Sequence, residues 1–332
     1  GRGAVTLASG EVVVAGGAGG AGNLGSCEIY EPLQGEWRDG PDLVEARDYH
    51  EILGTPDGRV MVLGGFGTAH TNRTEVLDPK TRKWVATGSL SVARAGIAPL
   101  VMRDGRVFAF GGYNHTDNYL TNAELFDPAR GEWKALAPLL KARTVATANL
   151  LPDGRILVTG GLNSGGTVKN CEIYDPMKRV WKEGPDLNHP RYSHVAISLR
   201  DGRVLIAGGS GGENSAEVFD VRQERWLDLE SMPATHGPGM AGVLLNDGRI
   251  LFTGGSTTAT LTQIYDPARG WKRAPDLNEG RNNHLMTVLR DGRVLVVGGD
   301  GGAGRLSSAE IFDPKNGTWK RTGSLKTARS LQ

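Results

Sequence analysis

A pair of glycines recurs seven times along the chain at nearly constant spacing, and this repeat constrains the fold more than any other feature. Successive pairs are 44 to 49 residues apart, and each is followed by a variable stretch, an alternating apolar segment and one tryptophan. A fixed period of this length indicates copies of one supersecondary unit. The glycine pairs begin at Gly16, Gly64, Gly111, Gly160, Gly208, Gly254 and Gly298.

Each unit predicts four antiparallel strands. In the last unit, the run HLMTVLR reaches Asp291-Gly292, a dipeptide suited to a two-residue hairpin turn, and the run RVLVVGG returns. The returning run is apolar and rich in β-branched residues, which favours a strand buried on both faces. AEIFDP predicts a third strand that ends at a turn. The segment around Trp319 predicts the fourth, with its indole packed between neighbouring units.

Seven such units, with no helical segment, predict an all-β fold: a seven-bladed β-propeller of four-stranded antiparallel blades. Arg329 leads into a first strand whose body lies at 3–8, so we expect the N- and C-terminal segments to share one blade and close the ring. The prediction is a single domain over 1–332, with blade 1 at 1–40 plus 325–332, blade 2 at 44–88, blade 3 at 91–137, blade 4 at 140–186, blade 5 at 188–230, blade 6 at 233–275 and blade 7 at 278–324.

The glycine pair, the spaced aromatic residue and the tryptophan of each unit resemble the kelch repeat, and the resemblance covers essentially the whole chain. The Asp-Gly-Arg hairpin followed by VLVVGG is similar to bacterial kelch repeats and to the propeller domain of galactose oxidase. The resemblance implies the same propeller fold. It leaves function open, because one fold carries many functions.

Charge and apolar patterning exclude two classes of partner. Lys and Arg number 38 against 37 Asp and Glu, with no basic tract, so we expect no nucleic-acid partner. No apolar run approaches the roughly 20 residues of a membrane-spanning helix, so we expect no membrane partner. Cys27 and Cys171 occupy one position of two distant units, so we expect no disulfide, and the compartment stays open. We expect a monomer, and a chain that begins inside a blade also fits a domain of a longer protein.

An arginine before the first strand and a glutamate in the third recur in six units. The unit with Gly237 in the arginine position has Gln263 in the glutamate position. Removing one partner of a buried ion pair costs on the order of 3–5 kcal/mol, so joint absence predicts that the two residues pair within each blade. The predicted structural pairs are Arg47 with Glu75, Arg94 with Glu124, Arg143 with Glu172, Arg191 with Glu217, Arg281 with Glu310 and Arg329 with Glu28.

The arginine-led entries and the segments after the glycine pairs are predicted to share one rim of the ring, and there the units differ. Variable loops on a rigid scaffold are the expected place for function. Aromatic, amide and charged side chains suit a protein or peptide partner, with a glycan as a second possibility. The loop from 113 to 122 ranks first. The candidate residues are Phe66, His70, Tyr113, His115, Asp117, Tyr119, Tyr192, Asn282, Asn283, Asp300 and Arg305.

Histidines form a second group of candidates. His50, His194 and His284 occupy one repeat position, three residues after the arginine, and His236 lies nearby in the sixth unit. Because this position enters the innermost strand, the imidazoles could face the axial channel and contribute to ligand binding or hold a metal. Alternatively, the position merely tolerates histidine, since other units have Ile97, Ala146 and Met240 there.

The favoured hypothesis is a non-catalytic binding module without a cofactor. The alternative is a galactose-oxidase-like or sugar-isomerising enzyme at the axial channel. The galactose oxidase resemblance implies that Tyr49 and His50, a Tyr-His dipeptide at a strand entry, are copper ligands, with His194, His236 or His284 completing the site. The thioether-forming cysteine of that family has no counterpart, because Cys27 and Cys171 lie in third strands.

Overall fold

The computed structural model describes residues 4–330, which form seven four-stranded antiparallel sheets and contain no helix. Accordingly, this part of the chain has no helix that could cross a membrane. Within each sheet the four strands are ordered as they follow one another in the chain, apart from short hairpins on the rim. The predicted all-β, seven-bladed propeller is confirmed.

The strands that form the blades are short. Each blade below is given from its innermost to its outermost strand.
Blade 1 has Val5–Thr6, Val12–Ala15, Cys27–Glu31 and Glu36–Asp39; blade 2 has Glu51–Gly54, Val60–Leu63, Thr74–Asp78 and Lys83–Ala86; blade 3 has Ala98–Val101, Val107–Phe110, Ala123–Asp127 and Glu132–Ala135; blade 4 has Thr147–Leu150, Ile156–Thr159, Glu172–Asp175 and Val180–Glu183; blade 5 has Val195–Ser198, Val204–Ala207, Ala216–Asp220 and Arg225–Asp228; blade 6 has Met240–Leu244, Ile250–Gly254, Thr262–Asp266 and Gly270–Arg273; blade 7 has Leu285–Val288, Val294–Val297, Ala309–Asp313 and Thr318–Thr322.

Four blades carry an extra two-stranded hairpin after the glycine pair. These hairpins connect the second and third strands of their blades, and they are Ala18–Gly19 with Gly22–Asn23, Tyr113–Asn114 with Asn118–Tyr119, Leu162–Asn163 with Gly166–Thr167, and Asp300–Gly301 with Gly304–Arg305.

The innermost strands contact one another in a closed ring. Val5–Thr6 of blade 1 contacts Glu51–Gly54 of blade 2 on one side and Leu285–Val288 of blade 7 on the other. Ser330 pairs with Ala18 through both backbone hydrogen bonds, at 3.0 and 3.1 Å. Blade 1 therefore combines the two ends of the described chain, as predicted. The outermost positions of the predicted joint, 1–3 and 331–332, lie outside the described residues.

The hydrophobic core lies between the blades, with one apolar cluster at each interface of neighbouring blades. In blade 1, Val12 and Val14 pack toward blade 7, whereas Val13 and Ala15 pack toward blade 2. This alternation follows from the two-residue period of a strand and explains why the second strands are apolar throughout. Each fully buried Val or Leu contributes about 1.5–3 kcal/mol.

The glycine pairs join neighbouring blades. In five of the pairs, the second glycine donates its N–H to the carbonyl of the arginine that leads the next blade, as from Gly112 to Arg143 at 2.9 Å. A Cβ on Gly111 would lie 2.4 Å from the same oxygen, and Gly111 has a φ of +62°. Close backbone approach thus requires glycine at this position. The tryptophans bridge the same interfaces, and Trp181 donates from Nε1 to the carbonyl of Ala137 at 2.8 Å.

Candidate functional site

In the six blades that have the arginine, the segment after the glycine pair is hydrogen-bonded to the arginine-led entry of the same blade. In blade 2, Asp48 and Phe66 exchange backbone hydrogen bonds of 2.9 and 2.8 Å. Equivalent bridges link the predicted rim residues of other blades: Ala95 with Tyr113, Tyr192 with Ser210, and Asn282 with Asp300. The two kinds of variable segment therefore lie side by side on one rim.

Buried arginines hold these entries in place. The guanidinium of Arg47 has no exposed surface; it donates to Glu75 at 2.6 Å and to the carbonyls of Gly64 and Arg73, both at 3.0 Å. Glu75 also accepts the N–H of Val44 at 2.6 Å. Burial lowers the pKa of Arg47, and the charge of Glu75 opposes this shift.

The same pair is present in all six blades that have both residues. The distances are 2.7 Å for Arg143–Glu172, 2.9 Å for Arg191–Glu217, 3.1 Å for Arg281–Glu310 and 2.7 Å for Arg329–Glu28, and Arg94 also donates to Glu124. These residues anchor the rim from beneath and are not available to a ligand.

Blade 6 replaces the ion pair by a neutral one. The imidazole of His236 donates from Nδ1 to the carbonyl of Gly254 at 2.6 Å and accepts from Nε2 of Gln263 at 2.7 Å. The carbonyl of Gly254 is the one that the arginine would reach in other blades. His236 is fully buried, and burial lowers its pKa. Gly237 occupies the arginine position of the repeat, but it is the neighbouring His236 that forms the equivalent hydrogen bond to the carbonyl of the first glycine, Gly254.

The three histidines that share one repeat position lie in the joints between blades. His50 contacts Gly16 of the preceding blade and donates from Nε2 to the carbonyl of Ala15 at 3.0 Å. Nε2 of His284 is hydrogen-bonded to the hydroxyl of Thr253 at 2.8 Å, and Nε2 of His194 to the hydroxyl of Thr147 at 2.8 Å. Each is about 95% buried. Burial, with the nearby Arg47, lowers the pKa of His50 to about 4, so its imidazole is neutral at pH 7.

This placement explains why the histidine position of the repeat holds other residue types in other blades. Met240 and Ile97 contact the first glycine of the preceding blade as the histidines do, at Gly208 and Gly64. The position therefore packs against the neighbouring blade. Within residues 4–330, no group of three or more His, Cys, Asp or Glu side chains is arranged to hold a metal ion.

Five predicted rim residues from blades 2 and 3 come together in an aromatic patch: Phe66, His70, Tyr113, His115 and Tyr119. Ring centroids are 5.0 Å apart for Phe66–His70, 4.7 Å for His70–His115, 5.8 Å for His70–Tyr113 and 5.5 Å for Tyr113–Tyr119. His115 is exposed and the other four are half-buried. Partial burial, and then the neighbouring His115, lowers the pKa of His70.

The hairpin that carries most of the patch is shaped by Asn114. Its buried side chain donates to the carbonyl of Ala93 at 2.8 Å and accepts the N–H groups of Thr116 and Asp117 at 2.9 and 2.6 Å. Asn118 turns the chain at a φ of +60°, in the left-handed region that asparagine tolerates. Tyr113 and Tyr119 are thereby paired on opposite strands of a fixed turn.

The remaining rim candidates lie elsewhere. Asn283 donates to Asp300 at 3.2 Å, and both lie in blade 7 near Arg305. Tyr192 lies on blade 5, and within the described chain its ring makes no contact with the aromatic patch. The rim thus has one aromatic group at blades 2 and 3 and one polar group at blade 7.

A ring of strained backbone was not foreseen from the sequence. Two residues after the arginine, Tyr49, Val145, Ser193 and Asn283 have φ between 45° and 50°. Their backbones link successive blades, as where Val145 donates to the carbonyl of Gly96 at 3.0 Å. The presence of Gly96 and Gly239 in the same position was the signal available in the sequence.

The Kelch motif model matches residues 98–140, 147–188 and 287–326, which fall in blades 3, 4 and 7. The structure repeats the same blade seven times. The chain is a kelch-repeat β-propeller.

Curated relatives match parts of this kelch propeller. Kelch-like protein 35 of Homo sapiens is 29% identical over 115 residues, which are 35% of this chain and 20% of that protein. An F-box/kelch-repeat protein of Arabidopsis thaliana is 33% identical over 130 residues, 36% of this chain and 34% of that protein. The matches thus span a fifth to a third of the length of these relatives.

Solved structures share the fold at low sequence identity. A fungal alcohol oxidase of the AA5 family, in complex with copper, has a TM-score of 0.70 at 18% identity, covering 85% of this chain and 66% of that one. YjhT has a TM-score of 0.65 at 15% identity, covering 85% of this chain and 99% of that one.

The kelch propeller does not offer the copper ligands that the sequence resemblance implied. Tyr49 is 46% exposed, whereas His50 is buried and its Nε2 is bound to a carbonyl of the neighbouring blade. His194, His236 and His284 are each held in separate joints and do not complete a site with them. The residues present do not fit a copper centre.

Proposed function

We propose that this kelch propeller is a non-catalytic interaction module that binds a peptide or protein segment through the aromatic patch. The observation that carries this proposal is the mutual contact of five rim side chains from two blades, at positions where the repeat does not require them. Corresponding positions in other blades carry non-aromatic residues such as Leu162 and Ser210.

The chemistry of the patch suits a protein partner. Aromatic side chains are enriched in the centres of protein interfaces, where they bury large areas. Here the rings already constrain one another, and Asn114 fixes the hairpin beneath them, so binding immobilises few rotamers. The kelch-like and F-box/kelch-repeat relatives support an interaction module.

The test is selection of a random peptide library on the wild-type protein, followed by affinity measurements on three variants. We expect Phe66→Ala and Tyr113→Ala each to lower the affinity for the selected peptides by about 30-fold. This is the effect of removing an interface hot spot worth ~2 kcal/mol. Tyr192→Ala is the matched control, because it removes a half-buried rim tyrosine outside the patch.

Two results would overturn the proposal. Peptides that bind all three variants as well as the wild type would place the interaction elsewhere on the propeller. A glycan array in which sugars, rather than peptides, depend on Tyr113 would assign the patch to carbohydrate.

A further inference from the structure

A small polar cavity lies on the rim where blades 7, 1 and 2 meet, and it adjoins the aromatic patch. Its volume is about 110 Å³; its walls are Ala18 and Ser330 of blade 1, Asp48 and Tyr49 of blade 2, and Asp300 and Arg305 of blade 7. We call it the seam pocket. Asp48 exchanges backbone hydrogen bonds with Phe66, so one residue pair connects the pocket with the patch.

Asp48 is not explained by the repeat. The corresponding residue, one after the arginine, is Ala95, Thr144, Tyr192, Asn282 or Ser330 in other blades, so the scaffold does not require a carboxylate there. Its Oδ1 is sealed from solvent and has no hydrogen-bond partner within residues 4–330. Burial raises the pKa of Asp48, and the nearby charge of Arg305 opposes this shift.

The one positive charge on the pocket wall makes no direct ion pair with the carboxylates. Arg305 donates from Nη1 to the carbonyl of Gly19 at 2.9 Å, and its Nε lies 3.4 Å from Oγ of Ser330. In the described chain it forms no ion pair with Asp48 or Asp300 within 4 Å. Two carboxylates and one guanidinium leave the walls with a net charge of −1. The pocket therefore presents more acceptors than donors.

We propose that the seam pocket binds a primary ammonium group, that of a lysine side chain on the partner that the aromatic patch holds. An ammonium is a compact cation with three donors, which matches the carboxylates of Asp48 and Asp300 and the Tyr49 hydroxyl on the pocket wall. A volume of 110 Å³ holds about three to four groups of water size, enough for the ammonium and its adjoining methylenes. A planar guanidinium is larger and would lie against Arg305.

The proposal of an ammonium site depends only on the seam pocket and its lining residues. Its assignment to a lysine of the partner also rests on the proposed function. The first experiment therefore uses n-butylammonium chloride as a probe, titrated at constant ionic strength while the backbone amide NMR signals of Tyr49 and Asp300 are followed. We expect saturable shifts at these amides and none with n-butanol, which lacks the charge.

Two isosteric variants decide the role of Asp48. We expect Asp48→Asn to weaken butylammonium binding about tenfold or more, because it removes a charge-assisted hydrogen bond. Asp117→Asn removes an exposed rim carboxylate outside the pocket and is expected to leave binding unchanged. Absence of saturable shifts in the wild type, or equal binding by the wild type and Asp48→Asn, overturns the site.

The second experiment concerns the partner. In peptides selected on the wild-type protein, we expect that replacing a lysine by norleucine reduces the affinity for the wild type about tenfold. The same replacement should have little effect on the affinity for the Asp48→Asn variant. If butylammonium binds but no peptide loses affinity when its lysine is replaced, the assignment to a lysine is wrong, whereas the ammonium site is still supported. If peptides bind independently of Tyr113, the proposed function fails separately.

Discussion

At the scale of single residues, the buried arginines show how charge can be used as a structural element. Arg47 has no exposed surface, yet its donors all meet oxygen acceptors from the second and third strands or the entry segment of blade 2. Removing one charge from such a pair leaves the other buried and uncompensated. The neutral His236–Gln263 pair avoids this penalty by replacing both partners together.

We expect Arg47→Ala and Glu75→Ala each to lower the free energy of unfolding by about 3–5 kcal/mol. The double variant should lose less than the sum of the two, because no unpaired charge remains. Urea unfolding of the four proteins gives the coupling energy. The exposed pair Asp104–Arg106 is the control, with an expected coupling below about 1 kcal/mol. Additive losses at Arg47 and Glu75 would contradict the role assigned to the pair.

At the scale of elements, the joint between blades depends on the first glycine of each pair. A Cβ on Gly160 would lie 2.3 Å from the carbonyl oxygen of Arg191, and the residue has a φ of +59°. Backbone cannot yield as a flexible side chain does. We therefore expect this interface to tolerate substitution poorly at Gly160, although glycine has no side chain to contribute to the packing.

Gly160→Ala is expected to cost about 2–4 kcal/mol, combining left-handed strain with overpacking against the next blade. Gly20→Ala is the matched control, because a Cβ there meets nothing within 4 Å. Thermal and urea unfolding of both variants compare the two sites. A loss at Gly160 no larger than at Gly20 would show that the neighbouring blade moves away freely.

The elements were more predictable than the site. Hairpin dipeptides, glycine pairs and tryptophans report local geometry, so strands and blade number follow from the period. The aromatic patch joins Phe66 with Tyr113 through the rotation between two blades, which no local pattern reports. For the same reason, the sequence could not show that His50 turns away from the rim and packs on Gly16.

At the scale of the whole molecule, six of the interfaces between blades join consecutive segments of chain, and the seventh joins its two ends. Arg329 lies in the C-terminal segment of blade 1 and ties it to the N-terminal strands of the same blade, donating to the carbonyls of Gly16 and Ser26 and to Glu28. Arg143 makes the equivalent bonds to Gly160, Asn170 and Glu172 in blade 4. The two arginines thus have matched contacts but different connectivity.

This difference predicts where the propeller opens. Arg329→Ala and Arg143→Ala remove the same bonds and should lose similar global stability, about 3–5 kcal/mol. In Arg329→Ala, however, the amides of Val12–Ala15 should exchange with solvent faster than those of Ile156–Thr159, because blade 1 then loses the contact that ties its two chain segments together. In Arg143→Ala the covalent chain still holds blade 4 on both sides, so its amides should exchange only through global unfolding. Equal protection of blade 1 in the two variants would mean that apolar packing against blades 7 and 2, rather than Arg329, closes the ring.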